Sequence, residues 1–280
     1  MNLPTASYIS DLAREAGRLA LDHFQRTDGR SVSLKSDFSV VTEADKVVES
    51  FITGRIRCDF PGHGVVGEEG ADVLAAEGRP VWILDPIDGT ANFAASMPYW
   101  TVSIGVFREG RPWRGALFLP VTNELYEVDD DGRARWNGAE IRVGPFIEPR
   151  RETLQLTTNQ HKHLHLRWPG RTLTLGAVAI DAALVARGAA QAVVMRPSLW
   201  DVAAAMAILE AAGGRVEWLA GGPVDFPALL ADAKHRAPAY MVGAASQQAL
   251  DLVRETCVST YRDPRMEDLE HDGLPPVAPA

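Results

Sequence analysis

Six residues do most to limit what this chain can become: Asp85-Pro86-Ile87-Asp88-Gly89-Thr90, set directly after the apolar run Val81-Trp82-Ile83-Leu84. The run reads as a short strand buried on both faces. Pro86 holds Asp85 extended and removes a backbone donor, so the strand is predicted to stop there and the chain to turn. Gly89 permits a close approach, and Thr90 is predicted to cap a short helix through Ala91-Asn92-Phe93. Two carboxylates at a buried strand end would then face the first N–H groups of a helix. That combination suits a divalent cation bridging to a phosphate oxygen. Taken alone, the stretch is also compatible with a surface turn bearing two solvated acids, because Asp-Pro and Asp-Gly are ordinary turn dipeptides.

Acids elsewhere favour the first reading. Gly64-Val65-Val66-Gly67 is a second strand pattern, and it ends in Glu68-Glu69. Far downstream, Ser198-Leu199-Trp200-Asp201 opens a strong helical segment, Val202 to Ala212, which sets Asp201 near a helix N-terminus. Acids at strand ends and helix starts from three segments are what an oxygen cage for a hard cation such as Mg²⁺ needs.

Glu68-Glu69, then Asp85-Pro86-Ile87-Asp88-Gly89-Thr90, then Trp200-Asp201 with an Ala-rich helix and Ala211-Ala212-Gly213-Gly214, resemble the signature motifs of the inositol monophosphatase family. The likeness runs from about Lys35 to about Asp225, with the motifs in the family's order. It implies a Mg²⁺-dependent, lithium-sensitive phosphomonoesterase on an α+β or α/β fold, the five-layered α-β-α-β-α sandwich of the sugar phosphatases, commonly a homodimer. Glu68, Asp85, the Ile87 carbonyl, Asp88 and Asp201 are implied as ligands of two Mg²⁺ ions, or three. Glu68, Thr90 and Asp88 are implied as catalytic, with Glu68 and Thr90 orienting and deprotonating the attacking water. Asp88, Gly89, Thr90, Gly176, Ala177 and Asp201 are implied to touch substrate. The block from Lys35 to Asp45 resembles the family's first conserved block, with Asp45 and Glu69 behind the metals and Lys35 facing the phosphate. It is one residue shorter than in the animal inositol enzymes and more similar to bacterial members acting on other phosphates.

At 280 residues the chain can bury a sizeable core, and 46% hydrophobic with 23% charged residues matches a soluble globular protein. No apolar run approaches a bilayer span and Met1 to Gly17 lacks a signal-peptide pattern, so a cytoplasmic protein is expected. A net charge of −9 argues against binding nucleic acid or an anionic membrane, and leaves a small phosphorylated metabolite as the expected partner. An acidic protein that holds phosphate needs bound cations to invert the local charge. Cys58 and Cys257 both fall in helical patterns, which predicts packed thiols in a reducing compartment.

Three parts are expected: residues 1–150 with an antiparallel sheet and most metal ligands, 151–262 carrying Asp201, and a loosely held tail, 263–280. An amphipathic helix is read over 7–25, and Thr42-Glu43-Ala44-Asp45 has capping-box spacing before a second. Residues 72–78 read as a polar mobile connection, and strands follow at 101–107, 114–119, 124–128 and 133–136. Strands at 154–158, 192–195, 215–218 and 240–243 surround a helix ending at Gly188, with Gly176-Ala177 offering N–H groups to a ligand. A last helix is predicted over Gln247 to Val258. His161, His163 and His165 alternate, but with oxygen ligands supplied elsewhere they read as a solvated or substrate-facing edge rather than a transition-metal site.

Two other functions fit parts of the pattern. Asp-Pro-Ile-Asp-Gly-Thr is off by one residue from the nucleophile loop of haloacid-dehalogenase phosphatases and comes some 80 residues into the chain. A catalytically silent metabolite-binding or regulatory protein on the same fold is the other alternative, although each implied ligand position holds a suitable acid. For substrate, inositol phosphate, histidinol phosphate, fructose 1,6-bisphosphate and 3′-phosphoadenosine 5′-phosphate stay open. Where the animal inositol enzymes place a glutamate that holds ring hydroxyls, seven residues before Asp201, this chain has Val194, which predicts weak preference for inositol phosphates.

Overall fold

The computed structural model describes residues 3–26, 32–34, 40–73, 75–76, 78–158 and 163–259. Helices and sheets alternate in five layers. Two helices form the first, α1 (Ala6–Arg26) and α2 (Glu43–Asp59). α1 turns Ile9, Leu12, Ala13, Ala16 and Ala20 inward along one stripe, as a helix lying on a sheet must. Thr42 and Asp45 cap each other at the start of α2, with Thr42 N donating to Asp45 Oδ2 at 2.8 Å.

Below lies an eight-stranded sheet in the order Ala139–Glu140, Ala134–Trp136, Glu124–Val128, Arg111–Leu119, Thr101–Arg108, Val81–Asp88, Gly64–Gly67, Asp72–Val73. Only Val81–Asp88 and Gly64–Gly67 run parallel in it. The short helix α3 (Thr90–Ala94) follows the central strand, and α4 (Val178–Ala186) and α5 (Leu199–Ala211) make the middle layer. The second sheet orders Arg171–Leu173, Thr153–Leu156, Ala192–Met195, Met241–Ala244, Arg215–Trp218. α6 (Phe226–Ala231) sets Phe226 edge-on against Phe107, and α7 (Gln247–Thr256) covers the outer face of the second sheet. The expected α-β-α-β-α sandwich is the fold, and its three hydrophobic clusters fill the spaces between the layers.

α5 explains how the middle layer positions a side chain. It is buried without a break from Val202 to Leu209, so it has no solvent face. Gly105 and Gly115 are cross-strand partners directly beneath it. A Cβ at Gly115 would stand 2.6 Å from Ala204 Cα, and one at Gly105 would stand 2.7 Å from Ala203 Cβ. Facing glycines and an alanine-rich helix therefore let the two backbones meet, which fixes where α5 begins.

Several expectations are corrected. The strand from Val81 does not stop at Pro86 but runs to Asp88, with its register shifting between Asp85 and Asp88. Pro86 sits at that irregularity, where a missing N–H costs the ladder nothing. Asp72–Val73 is an edge strand on Val65–Val66. The last helix ends at Thr256, and Cys257 begins a strand paired with Leu164–Leu166. Cys257 is buried but Cys58 is exposed, so only one thiol is packed. The tail 263–280 lies outside the described residues. Among the described residues no helix is long and apolar enough to cross a membrane.

Candidate active site

The parallel strands Gly64–Gly67 and Val81–Asp88 deliver their acids at one carboxyl edge, where open sheets direct their functional loops. Glu68 N donates to Leu84 O at 3.2 Å, which holds Glu68 beside Asp85 on the neighbouring strand. Asp85 pairs across the ladder with Ser103, and the Ser103 hydroxyl donates to Trp200 O at 3.5 Å. Asp201 is the next residue, so a strand neighbour on one side and a helix start on the other bring three distant segments together. Ser198 and Asp201 form a reciprocal capping box, with Ser198 N on Asp201 Oδ2 at 2.8 Å.

Asp88 faces the middle layer. Its two carboxylate oxygens accept from Val178 N at 3.0 Å and Ala179 N at 2.8 Å, the first N–H groups of α4. The first donors of α4, just past the Gly176-Ala177 turn, are thus already taken by Asp88. Gly89 has φ +93° and a Cβ there would meet Ala177 Cβ at 3.0 Å, so this turn abuts the start of α4. Gly89 is also the N-cap of α3, and the cap role predicted for Thr90 is corrected. A left-handed glycine had already made the turn. The Thr90 hydroxyl is instead placed to donate to Ile87 O, 3.0 Å away, or to Asp45 Oδ1, 3.3 Å away.

Burial and mutual repulsion set the electrostatics. Burial first, then Glu68, Asp88, Asp201 and Asp45, pushes the Asp85 carboxyl well above its ordinary value of 3.8. Burial raises Asp88 to about 8 against the two α4 hydrogen bonds that favour its charge. Asp201 is raised by burial, then by Asp88 and Glu68, while Ser198 N–H and Arg236 pull it down. Asp45 rises to about 6 by burial, despite the Thr42 hydrogen bonds.

Glu68, Asp85, Asp88, Asp201 and Asp45 are therefore brought within each other's field, with Thr90 and the Ile87 carbonyl among them. Every donor is a hard oxygen, and gathered negative charge of this kind fits a small divalent cation far better than a soft metal. Among the described residues no three acid, imidazole or thiol groups already close on one point as a finished cage. Lys35 and His161 lie outside the described residues. His163 is exposed, and so is His165, on a strand packed in the outer layer, away from the acids. Val194 is fully buried among Leu154, Val242 and Leu250, so it is core and not a pocket wall.

Sequence reading missed three supports. Glu49 is buried and accepts from Glu69 N at 2.8 Å and Ala71 N at 2.9 Å, clamping the loop that carries Glu68 and Glu69. Its one signal is its place four residues after Asp45 on the same helix face, which does not say what it holds. Asn92 ties Tyr99 O to Leu175 O at 2.7 and 2.8 Å. Asp181 is fully buried behind the Asp88–α4 contact, accepts from Leu175 N at 3.2 Å, and is raised by burial to about 7.

A five-layered sandwich with acids of several segments gathered at its strand ends defines a class of α/β protein. The sequence model of the inositol monophosphatase family matches residues 2–251, and the chain belongs to that family. It is 34% identical over 224 residues to the histidinol-phosphatase of Chlorobaculum parvum, covering 75% of this chain and 84% of the relative. It is 30% identical over 228 residues to a Xylella fastidiosa protein named Nus factor SuhB, covering 77% and 82%. Among solved structures, the IMPase of Thermotoga maritima matches with a TM-score of 0.72 at 26% identity, covering 88% of this chain and 94% of that one.

Proposed function

We propose that this chain is a Mg²⁺-dependent phosphomonoesterase that hydrolyses a small phosphorylated metabolite. The observation that carries the reading is the meeting of Glu68, Asp85, Asp88 and Asp201 beside the start of α4. Glu68, Asp85, the Ile87 carbonyl, Asp88 and Asp201 would hold two Mg²⁺ ions. When bound, such ions polarise phosphate oxygens and make water a nucleophile at neutral pH. Thr90, set between Ile87 O and Asp45 Oδ1, would orient the attacking water with Glu68 and pass its proton toward carboxylate. The N–H groups of Gly89 and Thr90 would hold phosphate oxygens, with the Gly176-Ala177 turn as the opposite wall. A homodimer in the cytoplasm and inhibition by lithium belong to the same reading.

Phosphate release across a panel of about thirty metabolites with Mg²⁺ tests it. Turnover of at least one ester, abolished in Asp88→Asn, is expected; no release from any would favour the second reading. That second reading, a protein that binds but does not hydrolyse, is favoured by one observation: a relative at 30% identity bears the name Nus factor and not that of an enzyme.

A further inference from the structure

Residues 235–237 run antiparallel along Pro197–Leu199, immediately ahead of α5. Leu199 N donates to His235 O at 2.7 Å, Ala237 N donates to Pro197 O at 2.9 Å, and Ser198 pairs with Arg236. Strand Ala192–Met195 ends and its partner Met241–Ala244 begins beside this segment, so the pairing carries the second sheet past its edge at the end where α5 starts. Residues directly opposite in an antiparallel pair turn their side chains to the same face. Arg236 therefore leaves the backbone on the side of the Ser198 hydroxyl, which caps the N–H of Asp201.

The segment is braced for this. Arg196 donates to Ala237 O at 3.4 Å, and the His235 ring stands edge-on to Trp200 at 6.2 Å between centroids. Arg236 itself is exposed, and Asp201 feels its positive charge. A cation beside a helix start is opposed by that end's partial positive charge and drawn by Asp201, so the two local effects work against each other. A guanidinium fork there is well suited to a carboxylate or phosphate arriving beside the acids.

We propose that Arg236 is a specificity-determining residue that receives a second anionic group of the substrate. The substrate class is then a phosphate monoester that carries another phosphate or a carboxylate. This rests on the phosphatase reading above. An ester with an ammonium tail is disfavoured by the same charge, and one with only hydroxyls gains nothing from it.

The test compares Arg236→Ala with the wild-type protein on fructose 1,6-bisphosphate, 3-phosphoglycerate, histidinol phosphate and p-nitrophenyl phosphate, all with Mg²⁺. Loss of one charge-assisted contact should raise KM about tenfold for whichever of the first two is turned over, with kcat little changed. KM for p-nitrophenyl phosphate should stay within about twofold, KM for histidinol phosphate should stay level or fall as the repelling charge goes, and Arg236→Lys should recover part of the loss. The two arms with a second anion separate phosphate from carboxylate recognition. An equal loss on all four esters would make Arg236 a counter-charge to the acid cluster, and no loss on any would leave it idle; either result overturns the proposal. If the wild-type protein hydrolyses nothing, the phosphatase reading fails separately. Calorimetric binding of the same esters then decides: weaker binding of the doubly anionic esters alone in Arg236→Ala supports the proposal, and unchanged binding, or no binding of those esters by the wild-type protein, overturns it.

Discussion

Glu49 and Asp85 stand on either side of the loop that carries Glu68, both buried, and their oxygens meet different surroundings. Each Glu49 oxygen accepts a backbone N–H, from Glu69 and from Ala71. Asp85 has the Ile87 N–H at 3.0 Å, but otherwise it faces Glu68, Asp88, Asp201 and Asp45. Burial, Glu69 and Glu68 raise Glu49 as well, but both its oxygens are taken by one loop, whereas Asp85 has one backbone donor against four other acids and stores a preference for a cation.

The comparison breaks most sharply under Asp85→Asn. Phosphate release should fall by more than the roughly 10–100-fold typical of a residue behind a metal ligand. The fold should survive, and the Mg²⁺-free protein should melt no lower than the wild type, because a repelling charge is gone. Glu49→Ala should behave oppositely. Two backbone N–H groups lose their acceptor, at about 1–3 kcal/mol each, and misplacing Glu68 should cost activity about 10–100-fold. Thermal melts and phosphate release on the same two variants decide whether the two acids differ in kind. A Glu49→Ala protein with full activity would erase the distinction.

How much of this could be read beforehand follows the same division. Asp85, Asp88, Glu68 and Asp201 are legible as a group because the family motifs occur together and in order; singly, each is also an ordinary turn or helix-start acid. Glu49 and Asp181 are not, since each lies inside a helix, and only the tertiary partners, a loop for one and Leu175 N–H for the other, show what their charge does. The five layers were legible only through the resemblance of the motifs to the family. The continued strand past Pro86 was not, because a bulge absorbs a proline that a regular ladder would reject. Thr90 misled for a related reason: the helix took its cap from the left-handed Gly89, which freed the hydroxyl to face Asp45.

pH separates the acids gathered at the strand ends from Asp181, which lies behind them and raises Asp88 by its charge. Asp88 at about 8, Asp181 at about 7 and Asp45 at about 6 all keep their protons in the folded state above the ordinary carboxylate value of 3.8. Folding therefore takes up protons between about pH 4 and 8, and stability declines as pH rises through that window. In a chelating buffer the protein should melt higher at pH 5.5 than at pH 8. Mg²⁺ at pH 8 should restore the part owed to the cluster and leave the part owed to Asp181. Asp181→Asn should then flatten what slope remains; a slope that Mg²⁺ removes entirely would place Asp181 with the cluster.

The smallest effect comes from two helix caps of the same chemistry. Ser246 accepts from Ala249 N at 3.1 Å at the start of α7, on the outer layer, and Ser198 caps α5 at the acids. Replacing either by alanine should cost about 1 kcal/mol of stability, since each removes one acceptor from one helix end. Only Ser198→Ala should also lower phosphate release and weaken Mg²⁺ dependence, because the turn it holds fixes Asp201. Equal activity in the two variants would mean that Asp201 is positioned by the close packing of α5 on Gly105 and Gly115 alone. The cap would then serve the helix and not the site, and the place to look for control of Asp201 would be the glycine pair beneath it.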